Sequence, residues 1–384
     1  MSKSSSWFAF RTCTGLVVAL MLHVMSPAAA GQTPNCTSAV PDDSNADDQA
    51  LNACLSNGGT VVLEAGVYII AEGLSLTVDG TVLLGAGGSE EGTVLRAWSG
   101  LIGPIIDAEA DDFEIAHVYI DGQVGDRTYE YMCDTAFGEY RWWGYNVQIT
   151  GSGFSVHDSV IAKAMCGSGM EVYGSDYEIY DNTFWANGIP EDWTADGNLP
   201  WADGLTLLLC DGGSVHDNFF ADNTDLGIGI GGTGGGSGCT VEYNLIGNYV
   251  RRAFAGLHIG YFAGGDGDHS GSSYSNNEVV AYYNKAAFGI AVGFHPWDDD
   301  VWLSDAGNVT NNTVEGGVVC LAVDGISDGT VSGNTMSDPT GNNGFGSCTI
   351  SDVYTAACFS GASLQSGWTC VYYHGGQCVE CDDR

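Results

Sequence analysis

The sequence has few basic residues, and this shortage argues against several classes of function. Its 384 residues include 10 Lys and Arg but 48 Asp and Glu, so the formal net charge is −38 at pH 7. Nucleic acids are poor partners for such a chain, because phosphate binding depends on Lys and Arg. Binding to the surface of an anionic membrane is excluded for the same reason.

Proline is also scarce, and no apolar run after the first 30 residues is long enough to span a bilayer. The chain has too little Lys, Arg, Leu and Glu for a coiled coil or a helical array. Its hydrophobic residues, at 44%, are too numerous for a disordered chain. Glycine is abundant, with 57 residues, and it is accompanied by much Asn, Asp, Thr and Val. This composition favours short strands and many tight turns.

Residues 1–30 have the features of a secretory signal peptide. Two basic residues, Lys3 and Arg11, precede the apolar run Leu16–Met25, and alanines at 28–30 supply a small-residue cleavage site. We therefore expect a secreted protein, either extracellular or periplasmic. Of its 13 cysteines, only one lies in the predicted signal peptide. The even number that remains predicts disulfides, whose pairing the sequence leaves open.

A short phrase recurs along most of the chain. It consists of an apolar residue, two polar residues, Asn and, after one more residue, usually an apolar one. Two earlier copies, which begin at Ile115 and Val156, replace the Asn. The copies that keep it contain Asn182, Asn218, Asn244, Asn277, Asn312 and Asn334. The shortest interval between them is 22 residues, which is about one small supersecondary unit.

A second phrase, in which apolar residues alternate behind a Gly, follows copies of the first, as in Gly256-Leu-His-Ile259. Period-2 alternation indicates a strand with one buried face. Each unit therefore holds at least two short strands, and the units are expected to stack because one unit cannot bury its own apolar face. The recurrent Asn would then line up at a turn and hydrogen-bond to its neighbour.

With these repeats, the chain resembles the right-handed parallel β-helix proteins of the pectin-lyase-like superfamily. Segments Asp47–Leu55 and Gly58–Tyr68 look like that family's opening, where a short amphipathic helix caps the stack of coils. The resemblance covers about residues 47–334 and implies an all-β solenoid, so we assign residues 31–340 to one β-helix domain. It leaves the activity open, because the superfamily includes lyases, hydrolases, epimerases and adhesin modules.

Residues 341–384 depart from the repeat. They contain Cys348, Cys358, Cys370, Cys378 and Cys381. The spacing of the last two could suit a metal ion, but in an exported chain a disulfide-stapled cap over the last coil is the better interpretation.

Four long loops interrupt the repeat: Gln123–Gly144, Ile189–Ala202, Phe262–Ser273 and His295–Ala306. The first two precede a Gly-phrase strand and the last two follow one, so we expect them to rise at the two edges of one sheet. Their tryptophans could stack on the rings of a polysaccharide, or could instead close small cores of the loops themselves. These tryptophans are Trp142, Trp143, Trp193, Trp201, Trp297 and Trp302.

The middle residue of each Gly-phrase is expected to point outward and to form a groove floor between those loops. The floor residues in chain order are Gln148, Glu171, Thr206, Gly229, His258 and Ala291. A His on a strand is usually an ordinary surface residue without a functional role. On a groove floor it suits proton transfer, because its ordinary pKa of about 6.5 lies near neutral pH.

Several of the few basic residues fall in the turn just before a Gly-phrase strand. They are Lys163, Arg251, Arg252 and Lys285, while Asp203 and Asp225 occupy the same turn in other coils. Cations gathered at one edge could bind the carboxylate or sulfate groups of an acidic glycan, with Lys163 and Arg252 as substrate contacts. Alternatively, they only neutralise nearby Asp residues and stabilise the turns.

Many polysaccharide lyases of the superfamily use Lys or Arg as the base, while Ca²⁺ or another cation neutralises the uronate carboxylate and so acidifies the C5 proton. From this resemblance, our first functional prediction is β-elimination of a uronate-containing polysaccharide. Arg251 and Lys285, about one coil apart once the loop between them is discounted, would be base and clamp. His258 would be an acid or base, and Asp203, Asp225 and Glu171 would bind the cation or substrate.

A hydrolase is the alternative enzyme. Asn223-Thr-Asp225 looks like the Asn-Thr-Asp of polygalacturonase-like glycosidases, and Leu257-His258 falls roughly where those enzymes carry Gly-His. The paired Asp expected one coil later is absent. Hydrolysis needs two carboxylates at a suitable separation, and Asp203 and Asp225 are the available pair. A non-catalytic glycan-binding or structural surface protein is the third possibility.

Two acidic segments could bind Ca²⁺, because clustered carboxylates are the oxygen ligands that this ion prefers. They are Asp298, Asp299 and Asp300, and Asp266 with Asp268. Neither matches a complete calcium loop, and acidic loops are common in such a composition. We expect no other cofactor, and we expect a monomer.

Overall fold

The computed structural model describes residues 34–124, 133, 144–189, 201–231, 236–251, 253–260, 268–281, 285–293, 304–317, 319–323, 326–337, 354–355 and 363–364. They form a solenoid of three parallel sheets behind one helix, α1 (Asp48–Leu55). The helix predicted at the start of the stack is confirmed, and it buries Leu51 and Leu55 against the first coils.

Each coil contributes one strand to each of three sheets, and every pairing is parallel. Sheet 1 has 11 strands and sheets 2 and 3 have 10 each. Sheet 1 contains β1 (Thr60–Val62), β4 (Val82–Leu84), β7 (Glu114–Ala116), β10 (Ser155–His157), β13 (Glu178–Tyr180), β16 (Ser214–His216), β19 (Thr240–Glu242), β22 (Ser273–Ser275), β25 (Ser304–Thr310), β28 (Ile326–Ser332) and β31 (Ser363–Leu364).

The other two sheets complete each coil. Sheet 2 contains β2 (Gly66–Ile70), β5 (Thr93–Ala97), β8 (Val118–Asp121), β11 (Val160–Ala162), β14 (Thr183–Trp185), β17 (Phe219–Ala221), β20 (Leu245–Asn248), β23 (Glu278–Ala281), β26 (Thr313–Gly316) and β29 (Thr335–Ser337). Sheet 3 contains β3 (Leu74–Leu76), β6 (Ile106–Ala108), β9 (Val147–Ile149), β12 (Gly167–Val172), β15 (Ala202–Leu207), β18 (Leu226–Ile230), β21 (Ala253–Ile259), β24 (Ala286–Val292), β27 (Val319–Val323) and β30 (Tyr354–Thr355).

The Asn of the first phrase lies at the corner between sheets 1 and 2, where the chain turns from β16 to β17 and from each equivalent strand to the next. The residue before it adopts a left-handed conformation, with φ of 53° at Asp181 and 55° at Asp217. Asp and Asn tolerate this conformation better than most residues. This explains why the position before the ladder Asn is so often polar.

The recurrent Asn side chains form a continuous buried ladder, as the repeat predicted. The Nδ2 of each donates to the Oδ1 of the next, from Asn182 through Asn218, Asn244, Asn277 and Asn312 to Asn334, over 2.9 to 3.1 Å. The same Oδ1 atoms also accept backbone N–H groups of the preceding coil. The ladder thereby pairs buried corner groups that water cannot reach.

A second Asn ladder lies at the corner between sheets 2 and 3, and the sequence analysis did not predict it. Asn187 Nδ2 donates to Asn223 Oδ1 over 2.8 Å, and Asn248 Nδ2 donates to the Asn223 carbonyl over 3.0 Å. Asn223 is the first residue of the Asn-Thr-Asp segment that resembles glycosidases. Its side chain therefore has a structural role in this corner.

The Gly of the second phrase marks a close approach between neighbouring coils. A Cβ on Gly204 would lie 2.6 Å from the carbonyl oxygen of Gly227, and a Cβ on Gly227 would lie 2.5 Å from that of Gly256. Any side chain at these positions would force the coils apart. Glycine is therefore needed at these positions of β15 and β18.

Disulfides join segments that are distant in sequence, as the cysteine count predicted. They link Cys36 to Cys54, Cys133 to Cys166 and Cys210 to Cys239. The first ties the N-terminal segment to α1, and the second ties the predicted loop 123–144 to the turn before β12. The last two strands, β30 and β31, extend sheets 3 and 1 into the tail.

Some predictions concern residues outside this part of the chain. The signal peptide at 1–30 and most of the Cys-rich segment at 341–384 lie outside the described residues, so both stay predictions. Among the residues that the structure describes, no helix is long and apolar enough to cross a membrane.

The outer face of sheet 1 carries a stack of rings. The His157 and Tyr180 rings lie 4.7 Å apart, and those of Tyr180 and His216 lie 5.4 Å apart. His216 Nδ1 is 2.8 Å from Asp217, and its Nε2 is 3.1 Å from Glu178. Burial lowers the pKa of His216, but these two carboxylates outweigh that effect and raise it above the usual value.

This environment predicts a pH-dependent contribution to stability. Because the folded pKa of His216 is raised, its stabilisation is complete below the unfolded value of about 6.5 and is lost as pH rises through the folded pKa. We expect His216→Gln to cost about 0.5–1 kcal/mol at pH 5.5, since the pair is partly exposed, and much less at pH 9. Urea unfolding at both pH values measures this, and an equal cost at both would contradict it.

Candidate functional site

The floor residues predicted from the Gly-phrases lie in register on the outer face of sheet 3. In chain order, Gln148 pairs with Glu171, then Thr206, Gly229, His258 and Ala291. Their neighbours in each strand, such as Met170 and Val172, point into the core. The alternation in the repeats therefore predicted one row of residues across six coils, and the groove above it stays a prediction.

The four predicted loops are attached at the two edges of this sheet. Gln123–Gly144 and Ile189–Ala202 fall between strands of sheets 2 and 3, whereas Phe262–Ser273 and His295–Ala306 fall between sheets 3 and 1. Of their tryptophans only Trp201 is among the described residues. It is partly exposed, and its carbonyl accepts the Gly167 N–H over 3.1 Å. The stacking role of Trp142, Trp143, Trp193, Trp297 and Trp302 stays a prediction, because these residues lie outside the described ranges.

Asp203 lies beside the floor, in a second outward row of sheet 3. Its Oδ2 accepts a hydrogen bond from Thr206 Oγ1 over 2.6 Å, and its Oδ1 accepts the Leu226 N–H over 3.0 Å. Ser168, which pairs with Asp203 in the preceding coil, is 2.5 Å from Thr206 through the two hydroxyls. Asp203 is only 8% exposed. The floor residue Thr206 therefore holds a nearly buried carboxyl group in place.

Asp225 occupies the turn before β18, one coil after Asp203. The residue is partly exposed, but its Oδ1 is buried and has no hydrogen-bond partner among the described residues. Its backbone carbonyl accepts the N–H groups of Phe254 and Ala255 in the next coil. The carboxyl group of Asp225 therefore has one buried oxygen that is unpaired within the described part of the chain.

The two carboxyls interact with each other. Burial raises the pKa of Asp225 to about 7. Burial also raises the pKa of Asp203 well above its usual range, and the negative charge of Asp225 raises it further. Two neighbouring buried carboxyls cannot both ionise easily, so they titrate as a pair and hold a proton up to about neutral pH.

Glu171 adds a third carboxyl to the same face. Burial raises its pKa, while hydrogen bonds from Tyr173, Gln148 and Tyr145 act in the opposite direction. Gln148 Nε2 is 3.3 Å from Glu171 Oε1, and the charge of Glu171 also raises the pKa of Asp203. Sequence reasoning missed Tyr173, although it lies two residues after Glu171 and period-2 alternation places both on one face.

His258 is the other ionisable residue of the floor. Its side chain is buried, at 1% exposed. A Cβ on Gly260 would lie 2.9 Å from its Cε1, so the ring fills the space that this glycine leaves. His258 lies two coils from Thr206 along the floor. Its predicted acid or base role stays a prediction.

Arg251 contacts backbone carbonyls of an earlier turn. Its Nη1 donates to the Ala186 carbonyl over 2.7 Å and to the Gly188 carbonyl over 2.9 Å. Burial lowers the pKa of Arg251, and Asp222 partly offsets this. The guanidinium therefore joins turns at the corner between sheets 2 and 3. Its predicted role as base or carboxylate clamp stays a prediction.

The structure separates the other predicted cations. Lys163 Nζ lies over sheet 2, 3.7 Å from Asp121 and 5.7 Å from the centre of the Trp185 ring. Lys285 precedes Ala286, which pairs with Ala253, so its counterpart one coil earlier is residue 252 and not Arg251. The side chain of Arg252 lies outside the described residues. Of the four, Lys163 and Arg251 have described side-chain contacts, and these contacts are not with Asp203 or Asp225.

The calcium prediction is untested. Asp268 is exposed, and hydrogen bonds from the side chain and backbone of Ser270 lower its pKa. Asp266, Asp298, Asp299 and Asp300 lie outside the described residues. Within the described part of the chain, no group of three or more His, Cys, Asp or Glu side chains is arranged to hold a metal ion.

Comparison with known proteins finds similarity of structure only. No protein-family model matches the chain, and no curated protein is significantly similar to it in sequence. The Dettilon tailspike protein is 16% identical with a TM-score of 0.57, and the match covers 90% of this chain and 70% of that one.

Two enzymes are similar to the same degree. The endo-xylogalacturonan hydrolase from Aspergillus tubingensis has a TM-score of 0.56 and 14% identity, over 86% of this chain and 99% of its own. The DFA-IIIase from Arthrobacter chlorophenolicus A6, without its lid, has a TM-score of 0.55 and 12% identity, over 90% and 94%. At such identities the likeness shows the fold alone: the chain is a right-handed parallel β-helix, as the resemblance noted in the sequence analysis implied.

Proposed function

We propose that this protein is a secreted carbohydrate-active enzyme, and specifically a glycoside hydrolase that uses Asp203 and Asp225. The observation that supports this most strongly is the pair of neighbouring carboxyls, both with a raised pKa, beside the floor row of sheet 3. Disulfides in the described part of the chain support secretion, because they persist in oxidising compartments.

The pair has the properties that glycoside hydrolysis requires. One carboxylic acid must protonate the leaving oxygen, while a second carboxylate acts as base or nucleophile. Two coupled carboxyls that share a proton near neutral pH provide both forms at once. Thr206 and the Leu226 N–H orient Asp203. Oδ1 of Asp225 is buried and has no hydrogen-bond partner among the described residues, so it could accept from a sugar hydroxyl or a water molecule that reached it.

The similar structures support a glycan as the substrate. One of them is an endo-xylogalacturonan hydrolase, and the DFA-IIIase binds DFA-III as a C387A mutant. These activities belong to those proteins, and here they only favour the same broad class of ligand.

Hydrolysis ranks above the β-elimination that the resemblance first implied. Elimination needs a base that can reach the C5 proton, and we assigned that role to Arg251 and Lys285. The Arg251 guanidinium instead donates to Ala186 and Gly188, and its position does not stack on Lys285. Hydrolysis by the Asp pair does not require Arg251 to leave these contacts.

One assay separates the three candidate functions. The purified protein is incubated with a panel of neutral and acidic polysaccharides, with and without Ca²⁺. New reducing ends without absorbance near 235 nm are expected. An unsaturated product that absorbs at about 235 nm would establish elimination and overturn the hydrolase. Binding without either product would instead favour the non-catalytic alternative.

A further inference from the structure

We infer that Tyr173 binds a sugar ring of the polysaccharide at a point on sheet 3 remote from the two Asp carboxyls, and that Glu171 holds the Tyr173 ring in place. This inference rests on the proposed function, which it deepens by naming a substrate-binding subsite. The side chains that carry it all belong to the described part of the chain. It also gives Glu171 a different role from the cation or substrate contact expected from the sequence.

Tyr173 continues the outward row of β12 by one position. Its backbone N–H donates to the Ile149 carbonyl over 2.8 Å, so the pairing of β12 with β9 extends to the edge of sheet 3. Period-2 alternation places Tyr173 on the same face as Glu171. Because its side chain is 42% exposed, an aromatic ring is accessible to solvent on the sheet that carries the proposed catalytic carboxyls.

Other exposed large hydrophobic side chains in the described part of the chain lie away from the strands of sheet 3. They are Val40, which precedes α1, and Trp98, Ile102, Tyr243 and Val250, which are in turns. A single exposed hydrophobic residue needs no functional explanation. The argument for Tyr173 therefore depends on how its ring is held and on what surrounds it.

The Tyr173 hydroxyl is hydrogen-bonded to the Glu171 carboxyl. Burial raises the pKa of Tyr173 to about 12, and the charge of Glu171 and the hydrogen bond act in the same direction. The phenol therefore keeps its proton, and can donate it to Glu171, throughout the neutral range. A ring fixed at both its backbone and its hydroxyl loses little conformational entropy when a ligand packs on it.

Glu171 has little capacity left for a ligand of its own. The hydroxyls of Tyr173 and Tyr145 and the Nε2 of Gln148 all donate to it, the last over 3.3 Å. An ionised carboxylate offers about four acceptor positions, so most are already used. Glu171 is also only 7% exposed. These contacts favour a positioning role for Glu171 over direct binding of a cation or substrate.

The side chains beside the Tyr173 ring can hydrogen-bond to hydroxyl groups. Gln148 pairs with Glu171, so Thr150 lies beside Tyr173 in the preceding coil. Thr150 is exposed and Gln148 is partly exposed. A sugar combines apolar C–H faces with a rim of hydroxyls, which matches an aromatic ring flanked by polar groups. A wholly apolar ligand would leave these polar groups without partners.

Tyr173 is remote from the groups proposed to react. Ser168 pairs with Asp203, and Tyr173 comes five residues after Ser168, which is roughly 16 Å at the usual rise of a strand. A short oligosaccharide at the two Asp carboxyls would not reach Tyr173, whereas a longer chain would contact both places. Tyr173 thus contacts a part of the substrate that does not react, and only long substrates gain this binding energy.

The first test measures affinity separately from turnover. Soluble xylan, mannan, β-glucan, fructan and polygalacturonate are tested by affinity electrophoresis with the full-length protein. For each polymer that the wild type binds, Tyr173→Ala should bind about three- to ten-fold more weakly, the size expected for a lost aromatic contact. The matched control is Tyr243→Ala, which removes another exposed Tyr, from the turn between β19 and β20.

The effect of Tyr173→Ala should also depend on substrate length. On a polymer that the protein cleaves, the loss should appear in KM with little change in kcat, because the contact is the same before and during the reaction. On the shortest oligosaccharide that is cleaved, KM should stay close to the wild-type value. An equal rise of KM on both substrates would place Tyr173 beside the reacting bond and overturn the remote subsite.

Variants of Glu171 test its positioning role, with melting temperatures to show that each is folded. Glu171→Gln keeps an oxygen that accepts from the Tyr173 hydroxyl, so it should keep most of the affinity. Glu171→Ala should lose about as much affinity as Tyr173→Phe, and the double variant should lose no more than either. If Glu171→Gln binds no polymer while Tyr173→Phe binds like the wild type, Glu171 contacts the ligand itself and the positioning role is wrong.

The outcomes separate this inference from the proposed function. Hydrolysis with unchanged affinity in Tyr173→Ala, or an equal loss in Tyr243→Ala, would overturn the subsite and leave the hydrolase standing. Binding that depends on Tyr173 without any turnover would uphold the subsite and remove the hydrolase. A protein that neither binds nor cleaves any of the polymers would overturn both.

Discussion

Replacement of Asp203 or Asp225 by Asn is expected to reduce turnover by about 10²–10⁴-fold, the usual contribution of an acid or base. Asn keeps the shape of the side chain but neither gives nor takes the shared proton. Turnover is measured as new reducing ends on the polymer that the wild-type protein cleaves. Glu242→Gln is the control, because it removes one carboxylate from the outer face of sheet 1. Wild-type turnover in both Asn variants would remove the hydrolase mechanism.

The same variants should gain stability at alkaline pH. Burial raises the pKa of both carboxyls, so the folded state binds protons more tightly than the unfolded chain. Stability is therefore lost as pH rises from about 4 through the folded values. Because Asn does not ionise, Asp225→Asn should melt about 2–5 °C higher than wild type at pH 8 and nearly equally at pH 4.

A gain in stability together with a loss of activity would distinguish the pair from ordinary structural carboxylates. Neutralising a charged group that stabilises the fold lowers the free energy of unfolding of the protein. Thermal unfolding at pH 4, 6 and 8 follows the difference between variant and wild type. If the variants melt lower than wild type at pH 8, the pair stabilises the fold and the argument from their shared proton fails.

The second large effect is expected in the corner ladder of sheets 1 and 2. Asn244 donates from Nδ2 to the Val215 and Glu242 carbonyls and to Asn277 Oδ1, and its own Oδ1 accepts from Asn218. Asn244→Ala would leave several buried groups without partners, each at a cost of about 1–3 kcal/mol. We expect a loss of about 3–5 kcal/mol in the free energy of unfolding.

The measurement is urea unfolding followed by circular dichroism. Asn45→Ala serves as the control, since Asn45 is exposed and its Nδ2 donates to Oδ2 of the neighbouring Asp43. Where Asn244→Ala yields no folded protein, Asn334→Ala at the end of the described ladder gives a smaller, measurable loss. If both ladder variants were as stable as Asn45→Ala, the Asn repeat would not stabilise the corner between sheets 1 and 2.

The coil architecture could be predicted from the sequence because it depends on spacing. The interval between Asn218 and Asn244 indicates the length of one repeat. The alternation in Gly256-Leu-His-Ile259 indicates which residues face outward. Parallel stacking then brings Glu171, Thr206 and His258 into one row. This row could be predicted without any knowledge of side-chain contacts, since successive residues of a strand point to opposite faces.

Only the tertiary structure decided what the turn residues do. Lys163 and Arg251 occupy equivalent turns, yet Lys163 has a left-handed backbone, with φ of 58°, and its ammonium lies over sheet 2, whereas Arg251 contacts carbonyls of an earlier turn. Likewise, burial raises the pKa of both Asp203 and Asp225, and the charge of Asp225 raises that of Asp203 further. Spacing determines where a backbone position lies. The direction of a side chain in a turn, and the pKa of a carboxyl, depend on neighbours that only the folded coils bring together.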